Sequence, residues 1–591
     1  MTTTSPPHGL PSSPHNRPQW WQELRNRRRP VSRTNYGLAR RFVDQSGVVP
    51  VLEDALRQQR KSAAGRCRTV PVRALFIAMT LDSWRNAGRV VLMEAADILS
   101  HQLPQYSRTQ LGLPEWTDDV NGFEACYRAV RRTFHASVAA MDPSPLPKHR
   151  LPRADALLLE QEADPAVLAH RRRLLLHVTN GIIEASLHPA RPVIDHYWDQ
   201  SIAIDATPLR TFARGVRRDG TYTATDPDAA WYVREGDHRD PADKPTQSGK
   251  PGRRPKRYMY GYEATLAVTG DCSGPPGEDP ATDTDSHLRV PALVIGMSVH
   301  RPGHEPARNA VDVLTTLRRR GYPAGILAVD RAYSSAKPET FHDPARDMGY
   351  RLIFDYRIDQ LGVQGSHAGA LLVDGGWHCP HIPQALITAT ADLLGNHIDR
   401  HTWRTRVNAR TSYRLRPKAS PDARGAQRLL CPAAGTRPTA ACPLKRRSLG
   451  RDPRLTVVDV TPSPAGPPEI CRRESVTFNR RAGSRSWQET EHGSAIWVHR
   501  YFRLRNRVEH FNGYSKDREA IERCQTRRVR GLAAQALLLS FQIAHANRRK
   551  LAAWLETLHT ETHDPRRRAS DRYKPRDPST WTPKGYLPDS K

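Results

Sequence analysis

The chain has 591 residues, with 91 Lys plus Arg against 61 Asp plus Glu and a formal net charge of +30. Its length predicts more than one domain, and its charge predicts a polyanionic partner, above all nucleic acid. A membrane protein is disfavoured, because the longest apolar run, residues 531–546, is interrupted by Gln535, Gln542 and His545. A reducing cytoplasm is the expected location, since no signal-like segment is present and the eight cysteines are scattered.

The first predicted segments in chain order are a basic arm and a helical domain. Residues 1–35 are rich in Pro, Ser and Arg, a composition that predicts disorder, and the basic tail 564–591 has the same character. Residues 36–195 show helical spacing of apolar residues, for example after Asp164, where Pro165 suits a first helical turn. Position and charge favour a DNA-binding domain here, and a scaffold or dimerisation bundle is the alternative.

An α/β pattern follows in residues 196–365. Three strands are predicted in "SIAIDAT", "YGYEATLAVTG" and "LRVPALVIGMSVH", followed by a helix in "ARNAVDVLTTLRRRGY". A fourth strand, "AGILAVD", and a fifth, "RLIFDYRI", are separated by a second helical segment. Three strands, helix, strand, helix and strand is the order of an RNase H-like sheet. The basic stretch "GKPGRRPKR", which begins at Gly249, predicts a mobile loop between the first two strands.

The pattern breaks in residues 366–494, which contain many Arg, Pro and Gly residues and short β-prone pieces. We interpret this stretch as a largely β insertion. Residues 495–563 return to helical spacing, first in the basic segment "RYFRLRNRVEHFNGYSK" at 500–516 and then in the apolar run 531–546. The predicted fold is therefore α/β, an RNase H-like catalytic domain interrupted by a β-rich insertion and preceded by a helical N-terminal domain.

The insertion contains residue types that bind zinc and others that stack on bases. The potential zinc ligands are His378, Cys379, His381, Cys431, Cys442 and Cys471. None shows the Cys-x2-Cys spacing of a zinc knuckle, so buried free thiols are the favoured interpretation. Trp377 and Trp403 could stack on an unpaired base near a cut in DNA, although core packing is the commoner use of tryptophan.

Two aspartates stand at the ends of apolar strands. Asp205 closes "SIAID" and Asp330 closes "GILAVD", and the first and fourth strands are neighbours in an RNase H-like sheet. Carboxylates this close repel one another unless a cation holds them, and hard oxygen ligands select Mg²⁺ or Mn²⁺. A helix packed on the sheet could add Glu509, whose face also carries Arg505 and Lys516. The simpler alternatives are strand-end aspartates that cap the next segment and a solvated helix with an Arg505–Glu509 pair.

Asp205, Asp330 and Glu509, in this order and on these elements, resemble the DDE transposases of bacterial insertion sequences. The basic helix also resembles the Y-x2-R-x3-E-x6-K signature of a large branch of these enzymes, insertion-sequence family four. The Arg, Glu and Lys positions of that signature match by spacing, whereas Phe502 occupies the Tyr position and Tyr501 lies one residue early. The resemblance covers about residues 196–550.

The resemblance implies that Asp205, Asp330 and Glu509 bind two Mg²⁺ or Mn²⁺ ions, while Arg505 and Lys516 contact DNA phosphates. The implied activity is cleavage at the ends of the element, followed by attack of the freed 3′-hydroxyl on target DNA. The expected partners are double-stranded DNA, from element ends and target, and a second copy of the chain in a homodimer on the ends, with no membrane involved. Two alternatives are a transposase-derived DNA-binding protein without catalysis and an RNase H-like nuclease.

Overall fold

The structure is a computed structural model. The residues that it describes are 19–59, 68–217, 219–235, 256–273, 289–422, 425–462, 466–517, 521 and 523–563. The chain divides into two compact units, the first made of 1–147, 154–188 and 525–545, and the second of 148–153, 189–524 and 546–591. Residues 1–18 of the predicted arm, the tail 564–591 and most of the basic loop at Gly249 lie outside the described residues.

The first unit is helical. Its elements before residue 188 are α1 (Gln19–Asn26), α2 (Arg33–Gln45), α3 (Val48–Gln58), α4 (Val72–Arg85), α5 (Leu92–Asp97), α6 (Gln105–Gln110), α7 (Val120–Ala140), α8 (Arg153–Glu162) and α9 (Pro165–Leu187). The predicted start of α9 is confirmed, because the Asp164 side chain accepts a hydrogen bond from the backbone N–H of Ala166 and Pro165 occupies the first turn.

The helix α1 differs from the sequence prediction, since it forms within a stretch whose composition predicts disorder. Trp21 and Leu24 are buried, and the Trp21 ring centroid lies 5.4 Å from that of Phe123. Burial of these two apolar side chains, with Trp21 against Phe123 of α7, offsets the entropy cost of ordering the segment. Composition missed this because the anchoring contacts come from residues about a hundred positions further along the chain.

The second unit is built on a six-stranded sheet, which α10 (Arg191–Tyr197) precedes. The strands are β1 (Ile202–Arg210), β2 (Ala230–Glu235), β3 (Lys256–Thr269), β4 (Val294–His300), β5 (Ile326–Val329) and β6 (Arg351–Phe354). Between the last three strands lie α11 (Pro306–Arg319), α12 (Arg331–Ser334) and α13 (His342–Asp347). The predicted strands and the helix after β4 are present, whereas β2 is an addition that the sequence pattern did not predict.

The sheet order is β4–β3–β1–β5–β6, and β2 pairs with the first half of β3. The strand β3 is antiparallel to β1, β2 and β4, whereas β1, β5 and β6 run parallel to one another. Both β4 and β5 are buried along their whole length, as expected for strands covered on both faces. The mixed α/β character that the sequence predicts is therefore confirmed.

Short strands and short helices alternate in the stretch predicted to be a largely β insertion. The strands are β7 (Val363–His367), β8 (Ala370–Val373), β9 (Gly376–His378), β10 (Arg416–Pro417), β11 (Gln427–Leu430), β12 (Ala440–Ala441), β13 (Thr456–Val457) and β14 (Ser475–Phe478). The helices are α14 (Gln384–Ile387), α15 (Ala389–Leu394), α16 (Arg400–Ala409), α17 (Arg446–Leu449) and α18 (Glu469–Arg472). Trp377 packs in a buried core with its ring centroid 4.7 Å from that of Phe478, and Trp403 is also buried, so both tryptophans serve core packing here.

Two long helices, α19 (Ala495–Asp517) and α20 (Leu532–His563), follow this stretch. The helix α19 packs on β1, β3 and β5 through an apolar stripe at helical spacing. Its fully buried members are Trp497, Leu504, Val508 and Phe511. This packing brings Arg505 and Asn512 to Asp205. The sequence prediction that Asp205 ends its strand is wrong, because pairing with β3 extends β1 to Arg210, whereas Asp330 does directly follow β5. Among the described residues, no helix is long and apolar enough to cross a membrane.

Candidate active site

Asp205 and Asp330 come together at adjacent parallel strands. Ile204 of β1 pairs with Val329 of β5, so the residues that follow them are also neighbours. Burial raises the pKa of Asp330 and the negative charge of Asp205 raises it further, while Arg505 opposes both effects. The sequence prediction that these two aspartates lie side by side is therefore supported by strand register and by their electrostatic coupling.

Asp330 also performs the capping role that was the simpler alternative. Its Oδ1 atom accepts a hydrogen bond of 2.8 Å from the backbone N–H of Ala332, at the start of α12. One carboxylate oxygen is thereby oriented by the backbone, and the other remains available to a ligand. Capping and ligand binding are compatible at this position, because a carboxylate offers about four acceptor sites.

Arg505 lies between Asp205 and Glu509. Its Nη1 atom is 3.6 Å from Oδ1 of Asp205, and its Nη2 atom is 3.4 Å from Oε1 of Glu509. The other oxygen of Asp205, Oδ2, accepts a hydrogen bond of 3.3 Å from Asn512. Arg505 is nearly buried, and its carboxylate neighbours outweigh the effect of burial and raise its pKa. Thus α19 supplies positive charge directly to the first aspartate.

Glu509 lies at the edge of this group. Its side chain is 60% exposed and its contact is the ion pair with Arg505, one helical turn earlier. The structure therefore joins Glu509 to the aspartates through Arg505 and not by direct contact. Lys516 lies in the last turn of α19, and its side chain is outside the described residues.

As the side chains stand, no group of three or more His, Cys, Asp or Glu residues within the described ranges could hold a metal ion. The chemistry of the donors nevertheless fits a hard divalent cation between β1 and the end of β5. Asp205 and Asp330 provide carboxylate oxygens, which Mg²⁺ and Mn²⁺ prefer, and their mutual repulsion is relieved by positive charge. Arg505 now supplies part of that charge, so a bound ion and Arg505 would compensate the same carboxylates.

Glu263 is a further acid at this site that the sequence analysis did not single out. It lies on β3 opposite Pro208 of β1, and its Oε2 atom accepts a hydrogen bond of 3.0 Å from the N–H of Gly303. Burial raises its pKa, and the charges of Asp205 and Asp330 raise it further. A signal was present, because an acidic residue in the otherwise apolar segment "YEATLAV" is unusual.

A buried polar chain lies beside the acids. His300 Nδ1 lies 2.9 Å from the carbonyl oxygen of Arg301, which can only accept, so this nitrogen carries the proton. Nε2 of a neutral His300 then accepts the 2.8 Å hydrogen bond from Thr265 Oγ1. The Tyr333 hydroxyl interacts with Thr265, and burial, then Asp330, raise its pKa well above the usual value. Burial and the negative charges of Asp330 and Asp205 therefore favour the protonated form of Tyr333, while the interaction with Thr265 opposes them.

Asp355 follows β6 and is next to Asp330 in the strand order, yet it is already paired. His492 Nε2 lies 2.8 Å from its Oδ1, and Arg331 Nε donates to its Oδ2 at 2.9 Å. Burial alone would raise the pKa of Asp355, but His492 and Arg331 outweigh burial and lower it. This carboxylate therefore has a structural role, in contrast to its two neighbours.

The departure from the family signature at Phe502 leaves a tyrosine close to the site. Tyr501 is buried and stacks on Trp497 with ring centroids 4.6 Å apart. Burial raises its pKa, Arg505 lowers it, and the charges of Asp355 and Asp330 raise it again. The Tyr501 side chain is therefore within electrostatic reach of the acids although it lies one residue early.

Comparison with known proteins adds no relative. No protein-family model, curated protein or solved structure has significant similarity to this chain.

Proposed function

We propose that this chain is a DDE transposase, which cleaves DNA at the ends of an insertion sequence and joins them to target DNA. The observation that carries the proposal is the adjacency of Asp205 and Asp330 at the parallel strands β1 and β5. The strand order β4–β3–β1–β5–β6, antiparallel for the first two pairs and parallel for the last two, is also that of an RNase H-like sheet. This agreement supports the fold expected from the sequence.

Asp205, Asp330 and Glu509 are the proposed ligands of two Mg²⁺ or Mn²⁺ ions. When bound, such ions activate water for in-line attack on a phosphodiester and stabilise the leaving oxygen. Glu263, buried beside the aspartates, adds to the negative potential that attracts the cations. No covalent protein intermediate is required, because the carboxylates position groups and do not attack.

The proposed role of Arg505 and Lys516 is to hold DNA phosphates near the acids. Arg505 presents separate nitrogens to Asp205 and Glu509, so its planar fork can exchange a carboxylate oxygen for a phosphate oxygen without losing its position. Lys516, about two helical turns beyond Glu509, would act as a point charge. The proposed partners are double-stranded DNA and a second copy of the chain on paired ends, and the proposed location is the cytoplasm.

Mapping of nicks on candidate end DNA tests the proposal. Terminal inverted repeats flanking the reading frame define the candidate ends, and the protein is incubated with them and Mg²⁺. We expect cleavage at the repeat boundary that leaves a 3′-hydroxyl, and joined products when target DNA is added. Binding without nicks would indicate the non-catalytic DNA-binding protein, and cleavage of RNA–DNA hybrids without end preference would indicate the nuclease. Either result overturns the transposase.

The salt dependence of binding tests the DNA partner separately. A chain of net charge +30 releases many counterions when it neutralises phosphates, so affinity for end DNA should fall steeply with salt. An affinity that stays constant from low to physiological salt would exclude the basic surface as the DNA footprint.

A further inference from the structure

Four cysteines from distant parts of the insertion converge on one cavity. Cys379 follows β9, Cys431 follows β11, Cys442 follows β12, and Cys471 lies in α18. All four are buried free thiols. They line a cavity of about 10 Å³, which is roughly the space for the centre of one water-sized sphere. The cavity therefore has the size for a single ion and a lining rich in sulfur.

Three of these cysteines sit in the same local turn. Each is followed by proline, in "CPH", "CPAA" and "CPLK", and its carbonyl accepts a hydrogen bond from the N–H three residues later. These bonds are Ile382 to Cys379 at 3.1 Å, Ala434 to Cys431 at 2.9 Å and Lys445 to Cys442 at 2.8 Å. Proline at the second position is the usual choice in such a turn. The same backbone turn therefore places each of these three cysteines at the cavity.

The backbone also favours negative charge on two of the sulfurs. The N–H of His381 donates to the sulfur of Cys379, and the N–H of Ala433 donates to that of Cys431, and both bonds lower the thiol pKa. Burial has the larger and opposite effect, so the pKa of Cys379 is raised to about 12 and the other three thiols oppose its ionisation further. A cation bound in the cavity would favour the thiolate form and so lower the pKa of these thiols.

No histidine of the described ranges lines the cavity, and the neighbouring His378 contacts other groups. His378 Nδ1 lies 2.8 Å from the carbonyl oxygen of Gly376, and its Nε2 lies 3.4 Å from Glu491. Lys445 lines the cavity, but its ammonium donates to the carbonyl oxygen of Arg473 at 3.0 Å. The convergent ligands are thus the four thiols alone, a soft donor set that suits Zn²⁺.

We propose that Cys379, Cys431, Cys442 and Cys471 form a structural tetrathiolate zinc site that ties the small sheets of the insertion together. Four thiolates leave no open position, which is the mark of a structural and not a catalytic zinc. Each thiol releases its proton to solvent as its sulfur binds. As they stand, the side chains do not form a metal-binding group, so zinc would have to draw the four sulfurs together. This site does not depend on the proposed transposase activity.

Zinc analysis of the full-length chain, purified under reducing conditions and reconstituted with Zn²⁺, tests the proposal. We expect about one zinc per chain, lost in Cys442→Ser and retained in Cys524→Ser, a thiol that lies outside the cavity. Wild-type chain without zinc after reconstitution, or Cys442→Ser with full zinc, would overturn the site.

A second measurement covers the case in which Cys442→Ser fails to fold and loses zinc for that reason. Titration of wild-type thiols with an organomercurial, in the presence of a chromophoric zinc chelator, should release one zinc as four thiols react. Replacement by Co²⁺ should give the absorption bands of a tetrahedral tetrathiolate. Zinc release unrelated to thiol modification, or a mass showing two disulfides among the four cysteines, would refute the proposal.

Discussion

Asp205, within β1, and Asp330, directly after the neighbouring β5, lie side by side and remain partly open to solvent. The four cysteines come instead from three turns and a short helix and line one cavity. At the sheet, like charges are held next to one another and compensated by Arg505. In the insertion, the groups are neutral thiols that are buried from solvent. A site that binds and releases substrate or metal ions keeps uncompensated charges close to solvent. A site that only stabilises the fold can bury its ligands completely.

The largest expected effect separates the two sites. Asp205→Ala and Asp330→Ala should each lower the cleavage rate of end DNA by at least about 10²–10³-fold, because each removes a ligand, while DNA affinity and zinc content stay unchanged. Cys442→Ser should instead remove zinc. Asp359→Ala, at an exposed acid paired with Arg357, is the matched control. Near-normal cleavage by either aspartate variant in Mg²⁺ would remove that residue from the active site.

The buried charges of the insertion should contribute to stability and not to chemistry. Arg410 is fully buried, with Nη2 2.8 Å from Asp374 Oδ2 and Nη1 3.5 Å from Glu491 Oε1. Arg410→Met should lower the free energy of unfolding by about 3–5 kcal/mol, because it leaves buried carboxylates unpaired. Denaturant titration measures the change. Arg406→Met, which breaks a partly exposed pair, should cost about 0–1 kcal/mol. Equal costs for the two variants would contradict this assignment.

Substitutions on α19 test whether its polar residues belong to the site. Arg505→Lys keeps the charge but loses the two-nitrogen contact with Asp205 and Glu509, so cleavage should fall by about 10–100-fold. Lys516→Arg should be tolerated better, and Glu509→Ala should be more harmful than Arg505→Ala or Lys516→Ala. An ordinary surface pair is worth a few tenths of a kcal/mol. An unchanged cleavage rate in Arg505→Lys would therefore favour the solvated helix.

The smallest expected effect is on pH dependence. The pKa values of Asp330 and Glu263 are raised, mainly by burial and also by neighbouring carboxylates. Because the charged forms attract the metal ion, cleavage should be full at neutral pH and should fall, as pH decreases, earlier than for ordinary carboxyl groups. Glu263→Gln removes one negative charge and should shift the acidic limb of the rate profile to lower pH. Glu305→Gln, an exposed acid, should leave the limb in place.

The sequence alone determined those features that depend on local periodicity. Apolar runs predicted the strands that became β1, β3, β4, β5 and β6, and helical spacing predicted α11 and α19. Because strand order follows from a small set of topologies, the adjacency of Asp205 and Asp330 could also be inferred before any coordinates. Asp164 and Pro165 marked the start of α9, since a cap acts within a few residues.

Only the tertiary structure decided the features that depend on distant contacts. The helix α1 is ordered by burial of Trp21, and Glu263 becomes part of the acid cluster because β3 pairs with β1. The contact of Arg505 with Asp205 depends on how α19 packs on the sheet, whereas its ion pair with Glu509 is local to the helix. The cysteines share no spacing motif, since they meet through three turns and a short helix between positions 379 and 471. The residue spacing in a sequence predicts a site when its ligands lie on one helix, strand or loop. A site whose ligands come from several elements is formed only by tertiary packing.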